Sequence, residues 1–141
     1  MNYLLDTNVI SELIKKQPHP QVVAWLDKQD PARVYLNVIT IGEIRKGIER
    51  LAPSAQKESL QAWLHTDLLV RFAGRLLELT TGVMLRWGEL TGRLETEGIV
   101  LSAMDSLIAA SALHGNCSLV TRNEDDFRGT GLVIINPWTE G

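Results

Sequence analysis

Apolar residues along this chain follow two rhythms. Tyr3 to Leu5, Val34 to Asn37, "LLELT" at 76–80, "SLVT" at 118–121 and "LVII" at 132–135 are short runs that read as buried strands. Between them, apolar positions recur every three or four residues. "TNVISELIKK" sets Val9, Ile10, Leu13 and Ile14 on one helical face, and "QPHP" closes that helix. Residues 21–29 make a second helical segment. In "TIGEIRKGIERL", Ile41, Ile44, Ile48 and Leu51 fall on one stripe, which Pro53 stops. Residues 54–69, 81–97 and about 103–114 supply three more helices. Strands alternating with helices predict an α/β fold around a parallel sheet. With no repeat, linker or low-complexity segment, residues 1–141 are expected to form one domain.

Three carboxylates interrupt this pattern. Asp6 is the only charge in "MNYLLDTNVIS", Glu43 the only charge in "VYLNVITIGEI", and Asp105 the only charge in "IVLSAMDSLIAASALHG". Each has an ordinary structural explanation. Thr40 and Glu43 match the Thr-x-x-Glu capping box, Ser102 and Asp105 share that spacing, and Asp6 can cap the helix that follows it. Capping accounts for an acid in a first turn. It does not account for the lack of any cation within these stretches. Partly buried carboxylates need a partner, and a divalent cation is the simplest one. Oxygen donors alone suit Mg²⁺ or Mn²⁺, which retain waters and leave room for a phosphate oxygen.

Position favours convergence. Ligands of parallel sheets bind beyond the carboxyl ends of the strands. Asp6 follows the first strand directly and Asn123 follows "SLVT", while Glu43 and Asp105 are expected in first turns of helices on one layer. Lys46 and Arg50 can hold a phosphate backbone or simply form a solvated face, and Arg122 sits beside the expected crevice. Gly47 costs its helix about 1 kcal/mol relative to Ala. Tight packing against another helix is the expected reason, with close approach by a ligand the alternative.

Composition narrows the classes. The chain has 45% hydrophobic and 22% charged residues, as in an ordinary globular protein. No apolar run nears the ~18 residues of a spanning helix. The N-terminus lacks secretory features, so a cytoplasmic protein is expected. The single cysteine, Cys117, excludes an internal disulfide and a cysteine-based zinc site, and suits a small core position at a strand start. His19, His65 and His114 are too scattered for a zinc set. Trp25, Trp63, Trp87 and Trp138 sit among apolar residues and are expected in the core or an interface. A net charge of −3 makes no general attractor for nucleic acid, so RNA would need a local basic patch or bound metal.

"LLDTNVISEL", "VYLNVITIGEIRKGI", "SAMDSLIAASAL", "LVTRNEDDF" and "INPW", in that order, resemble the PIN-domain toxins of the VapC and FitB-like family. The resemblance covers nearly the whole chain. It implies an α/β/α sandwich and a Mg²⁺- or Mn²⁺-dependent endoribonuclease that leaves a 5′-phosphate and arrests growth by destroying a target RNA. It further implies inhibition by an antitoxin encoded beside the toxin, contact with DNA only through the antitoxin complex, and a homodimer. Asp6, Glu43 and Asp105 match the family's metal-binding acids, and Thr7 and Asn8 match the neighbours of the first. Many relatives read Thr-Arg-Asp after the late strand. Here that position is Asn123, which can coordinate or hold a water but brings no charge, and Asp126 either compensates from the loop or merely begins the next turn. The rival role is a PIN-like module of little turnover in an antitoxin-bound repressor complex. A haloacid-dehalogenase-type phosphatase would read Asp-x-Asp, but Asn8 stands in the third position.

Overall fold

A computed structural model describes residues 1–140. Five parallel strands, β1 (Asn2–Leu5), β2 (Val34–Asn37), β3 (Leu76–Leu77), β4 (Cys117–Val120) and β5 (Ile134–Ile135), form one sheet in the order β3-β2-β1-β4-β5. Between them run α1 (Thr7–Leu13), α2 (Pro20–Asp27), α3 (Val38–Glu49), α4 (Ala55–Trp63), α5 (Leu69–Arg71), α6 (Thr81–Thr96) and α7 (Ala103–His114).

Side-chain alternation along the strands separates two cores. Leu5, Leu36 and Val120 face one side, where Val9 and Ile10 of α1, Val22 of α2 and Ile44 and Ile48 of α3 cover them. Leu4 and Leu119 face the other, beneath Leu90 and Leu94 of α6 and Ile108, Ala109 and Ala112 of α7. The result is the expected three-layer α/β/α sandwich, and burial on both faces explains why β4 is buried at every position. Cys117 opens β4 as a buried residue, and burial pushes its thiol pKa up.

Several boundaries shift for local reasons. α3 starts at Val38, because the Asn37 side chain caps it by accepting from Ile39 N–H at 2.8 Å. Thr40 therefore lies inside the helix and Glu43 in its second turn, so the expected capping box does not exist. The expected helix over 54–69 is interrupted by a π turn at Leu64–Leu68, which buries Leu64 and Leu68 together. "LLELT" pairs only at Leu76–Leu77, on the sheet edge. Gly47 and Gly42 have no atom within 4 Å of where a Cβ would sit, so helix packing does not explain Gly47. Trp25 meets Tyr3 edge-on with ring centroids 5.2 Å apart, and Trp87 donates its indole N–H to Ser106 Oγ at 2.8 Å.

Candidate active site

In this strand order the connections leaving β1 and β4 run to opposite sides, which opens a crevice where the two strands end. The register pairs Leu5 with Val120. Asp6 and Thr121 are consequently neighbours at the strand ends, and Thr121 donates its hydroxyl to Asp6 Oδ2 at 2.9 Å. Asp6 also caps α1, its Oδ1 accepting from Thr7 N–H at 2.8 Å. Capping and placement in the crevice thus coincide in one side chain. Asn8 braces the pair, donating to Thr121 Oγ1 at 3.1 Å and to Asp6 Oδ2 at 3.4 Å.

Glu43 arrives from α3, on one face of the sheet. Thr7 donates its hydroxyl to Glu43 Oε1 at 2.6 Å, and Thr40 Oγ1 lies 3.1 Å from the same hydroxyl. Asp105 arrives from α7, on the opposite face, where Ser102 Oγ accepts from its backbone N–H at 3.2 Å. The expectation that Glu43 and Asp105 share a layer is thereby corrected. They meet because both helices begin at the carboxyl edge of the sheet.

Together Asp6, Glu43, Asp105 and Asn123 line one open cleft of about 420 Å³, with Thr7, Asn8 and Arg122. Ser11, Glu12, Lys15 and Trp138 complete it. Asn123 uses its backbone N–H to reach Thr121 Oγ1 at 3.1 Å and caps nothing with its side chain. Asp126 sits on the adjoining turn outside the cleft lining, yet its charge raises the pKa of Asp105. Lys46 and Arg50 do not line the cleft. They belong to a neighbouring groove that shares Thr7 and Glu43 with it.

Electrostatics match the sequence pattern. Burial is the main cause raising the Asp6 pKa, opposed by the Thr121 and Thr7 hydrogen bonds and reinforced by the charges of Asp105 and Glu43. Asp105 is raised chiefly by burial, opposed by Ser102 and reinforced by Asp126 and Glu43. Among the described residues, none of the three acids is in an ion pair with Lys or Arg. Nor do any three His, Cys, Asp or Glu side chains there converge closely enough to chelate a cation unaided. The acids line walls rather than form a cage.

Sequence alone assigns four contributors no role in the site. Thr121 holds Asp6 through strand register, and Asn136, buried, donates to Glu124 Oε2 at 3.0 Å. Glu12 is buried with Lys15 Nζ 3.0 Å away, and Trp138 forms a cleft wall. A polar residue directly after an apolar strand, as at Thr121 and Asn136, was the available clue.

The family model for the PIN domain matches residues 3–131. This chain belongs to the PIN-domain family. Across the PIN fold it is 37% identical over 135 residues to Toxin FitB of Neisseria gonorrhoeae, covering 96% of this chain and 97% of that protein. It is 36% identical over 135 residues to VapC ribonuclease Y4jK of Sinorhizobium fredii, covering 96% of each. FitAcB from Neisseria gonorrhoeae superposes on this PIN domain with a TM-score of 0.93 at 36% identity, covering 98% of this chain and 99% of that one. FitAB bound to an IR36 DNA fragment does so with a TM-score of 0.93 at 35% identity, covering 99% and 97%. No helix among the described residues is long and apolar enough to cross a membrane.

Proposed function

We propose that the protein is the toxin of a toxin–antitoxin pair, a Mg²⁺- or Mn²⁺-dependent endoribonuclease that hydrolyses phosphodiester bonds in the Asp6 cleft. The observation carrying this reading is that Asp6, Glu43 and Asp105, from three distant segments, face one open cleft with no paired cation among the described residues. Similarity to a protein named VapC ribonuclease and to another named Toxin FitB supports it.

The donor set fits such an ion. It consists of oxygens only, and Mg²⁺ commonly uses one or two carboxylates and completes its shell with water, which an open wall of acids allows. Asp6 and Asp105 would hold the ion, with Glu43 as ligand or base. When bound, it would supply positive charge for the phosphoryl oxygens and a more acidic water. The chain's own residues do the positioning. Thr121, Thr7 N–H and Asn8 fix the Asp6 carboxylate, so its oxygens do not reorganise when substrate arrives. Thr7 fixes Glu43, whose remaining oxygen is free to take a proton from the attacking water. Asn123 lines the same cleft and can hold the phosphate in line for attack.

The deciding experiment uses purified, antitoxin-free protein and a panel of structured RNAs including tRNAs, with Mg²⁺, Mn²⁺ or EDTA, beside Asp6→Asn. Discrete cleavage that needs metal and disappears in Asp6→Asn is the expected result. Equal inertness of both proteins, with no Asp6-dependent metal binding, would overturn the reading. A second reading has its own support in the DNA-bound FitAB structure: the chain also serves in a complex in which a partner contacts DNA.

A further inference from the structure

Glu12, Lys15, Arg122 and Trp138 belong to two hollows at once. They line the acid cleft, and they line a depression of about 500 Å³ beside it whose far wall is residues 17–20. A strand crossing the acids can therefore continue into this depression without leaving the surface.

Two features distinguish it from a gap between helices. Its floor is a stacking surface, since the Arg122 guanidinium lies over the half-buried Trp138 indole with Cζ 5.4 Å from the ring centroid. Its far wall, where Pro18 and Pro20 stand beside Gln17 and His19, is fixed to α1, because the buried Glu12 carboxylate accepts from Lys15 Nζ and from His19 N–H, each at 3.0 Å. The floor is also tied to the acids. Arg122 N–H donates to Asn8 Oδ1 at 3.3 Å, and Asn8 in turn reaches Asp6. Asn136 Nδ2 donates to the Arg122 carbonyl at 3.4 Å, and its Oδ1 accepts from Trp138 N–H at 3.0 Å. One chain of hydrogen bonds sets the spacing between stacking surface and carboxylates.

We infer that this depression is a nucleobase subsite, in which an unpaired base flanking the scissile phosphate stacks on the Arg122–Trp138 pair. The inference rests on the ribonuclease reading for the identity of the strand. Single-stranded RNA presents an unstacked base beside each phosphate, and proteins take such bases on aromatic rings and guanidinium planes. An all-apolar protein segment is a poorer match, because Glu12, Lys15 and His19 stand in the lining beside Pro18 and Pro20.

The test remakes a cleaved single-stranded oligoribonucleotide with an abasic ribose at each position flanking the scissile phosphate. KM and kcat are measured for wild type, Trp138→Ala, Trp138→Phe and Arg122→Ala. One abasic position is expected to raise the wild-type KM about tenfold, in line with loss of one stacking contact. Trp138→Ala and Arg122→Ala are expected to bind intact RNA correspondingly worse and to be indifferent to that abasic site, with Trp138→Phe near wild type. The change falls on KM more than on kcat. Should the abasic penalty persist in both alanine variants while cleavage remains Asp6-dependent, the subsite is wrong and the ribonuclease reading stands. If Trp138→Ala does not fold, Arg122→Ala, altered at an exposed side chain, decides the matter in the same way. If wild type cleaves no RNA, metal-free protein is titrated with nucleoside 5′-monophosphates and followed by tryptophan fluorescence. Saturable quenching that is lost in Trp138→Phe supports the subsite apart from catalysis, whereas equal quenching in both proteins, or none, overturns it.

Discussion

At Asp6, one carboxylate serves both the fold and the cleft. Its Oδ1 caps α1 and its Oδ2 takes the Thr121 hydroxyl, so it stays buried although burial raises its pKa. Glu12 shows the opposite balance. The Lys15 ammonium, helped by His19 N–H and opposed by burial, holds its carboxyl below the usual 4.5. A carboxylate whose pKa is lower folded than unfolded stabilises the fold above its unfolded value and loses that contribution as pH falls through its folded value. Glu12→Gln is therefore expected to melt below wild type at pH 7, and the gap should close as pH drops below 4.5. Parallel thermal melts across this range check it, and a gap that persisted at low pH would assign the effect to packing. Of these residues only Asp6 was legible beforehand, because a lone charge after an apolar strand is visible in one dimension. Glu12 stands three residues before Lys15, a local spacing that carries no sign of burial, and the turn that brings residue 19 back onto it gives it a role.

Among the elements, α3 carries the most information. Its apolar stripe was readable from spacing, and Ile44 and Ile48 are buried as that spacing predicts. Its start was not readable, since Asn37 is at once the last residue of β2 and the helix cap. Asn37 Nδ2 also donates to Ser111 Oγ at 2.7 Å and to the Leu77 carbonyl at 3.1 Å, joining α3 to α7 and β3. Asn37→Ala removes the cap and leaves buried partners unpaired, and a loss of about 2–3 kcal/mol is expected in chemical denaturation. Gly47 behaves differently. With open space around its Cβ position, Gly47→Ala is expected to stabilise the protein by about 0.5–1 kcal/mol. A measured destabilisation would mean that another surface packs on α3 in solution. The π turn at Leu64–Leu68 had no signature in spacing, because one extra residue in a turn is selected by what it buries.

For the whole molecule, the expected consequence of the acid cleft is linkage between cation binding and stability. In EDTA the three carboxylates repel one another, as the contributions of Asp105 and Glu43 to the Asp6 shift indicate. Mg²⁺ or Mn²⁺ at a hundred times its dissociation constant should stabilise wild type by about 2.7 kcal/mol. The corresponding rise in Tm should be lost in Asp105→Asn, and a rise of equal size in both proteins would place the ion elsewhere. Strand and helix identity, the α/β class and the three unaccompanied acids follow from local spacing and local charge, where a period of two or of about 3.6 states which face is apolar. That Asp6, Glu43 and Asp105 share a crevice was expected from their places beyond the strand ends, but the arrival of Glu43 and Asp105 from opposite faces and the bond from Thr121 to Asp6, 115 positions away, do not follow from spacing. They needed the order β3-β2-β1-β4-β5 and the register pairing Leu5 with Val120. Tertiary structure decided these because strand order is selected by burying both faces of the sheet at once, a condition that no short stretch of chain contains.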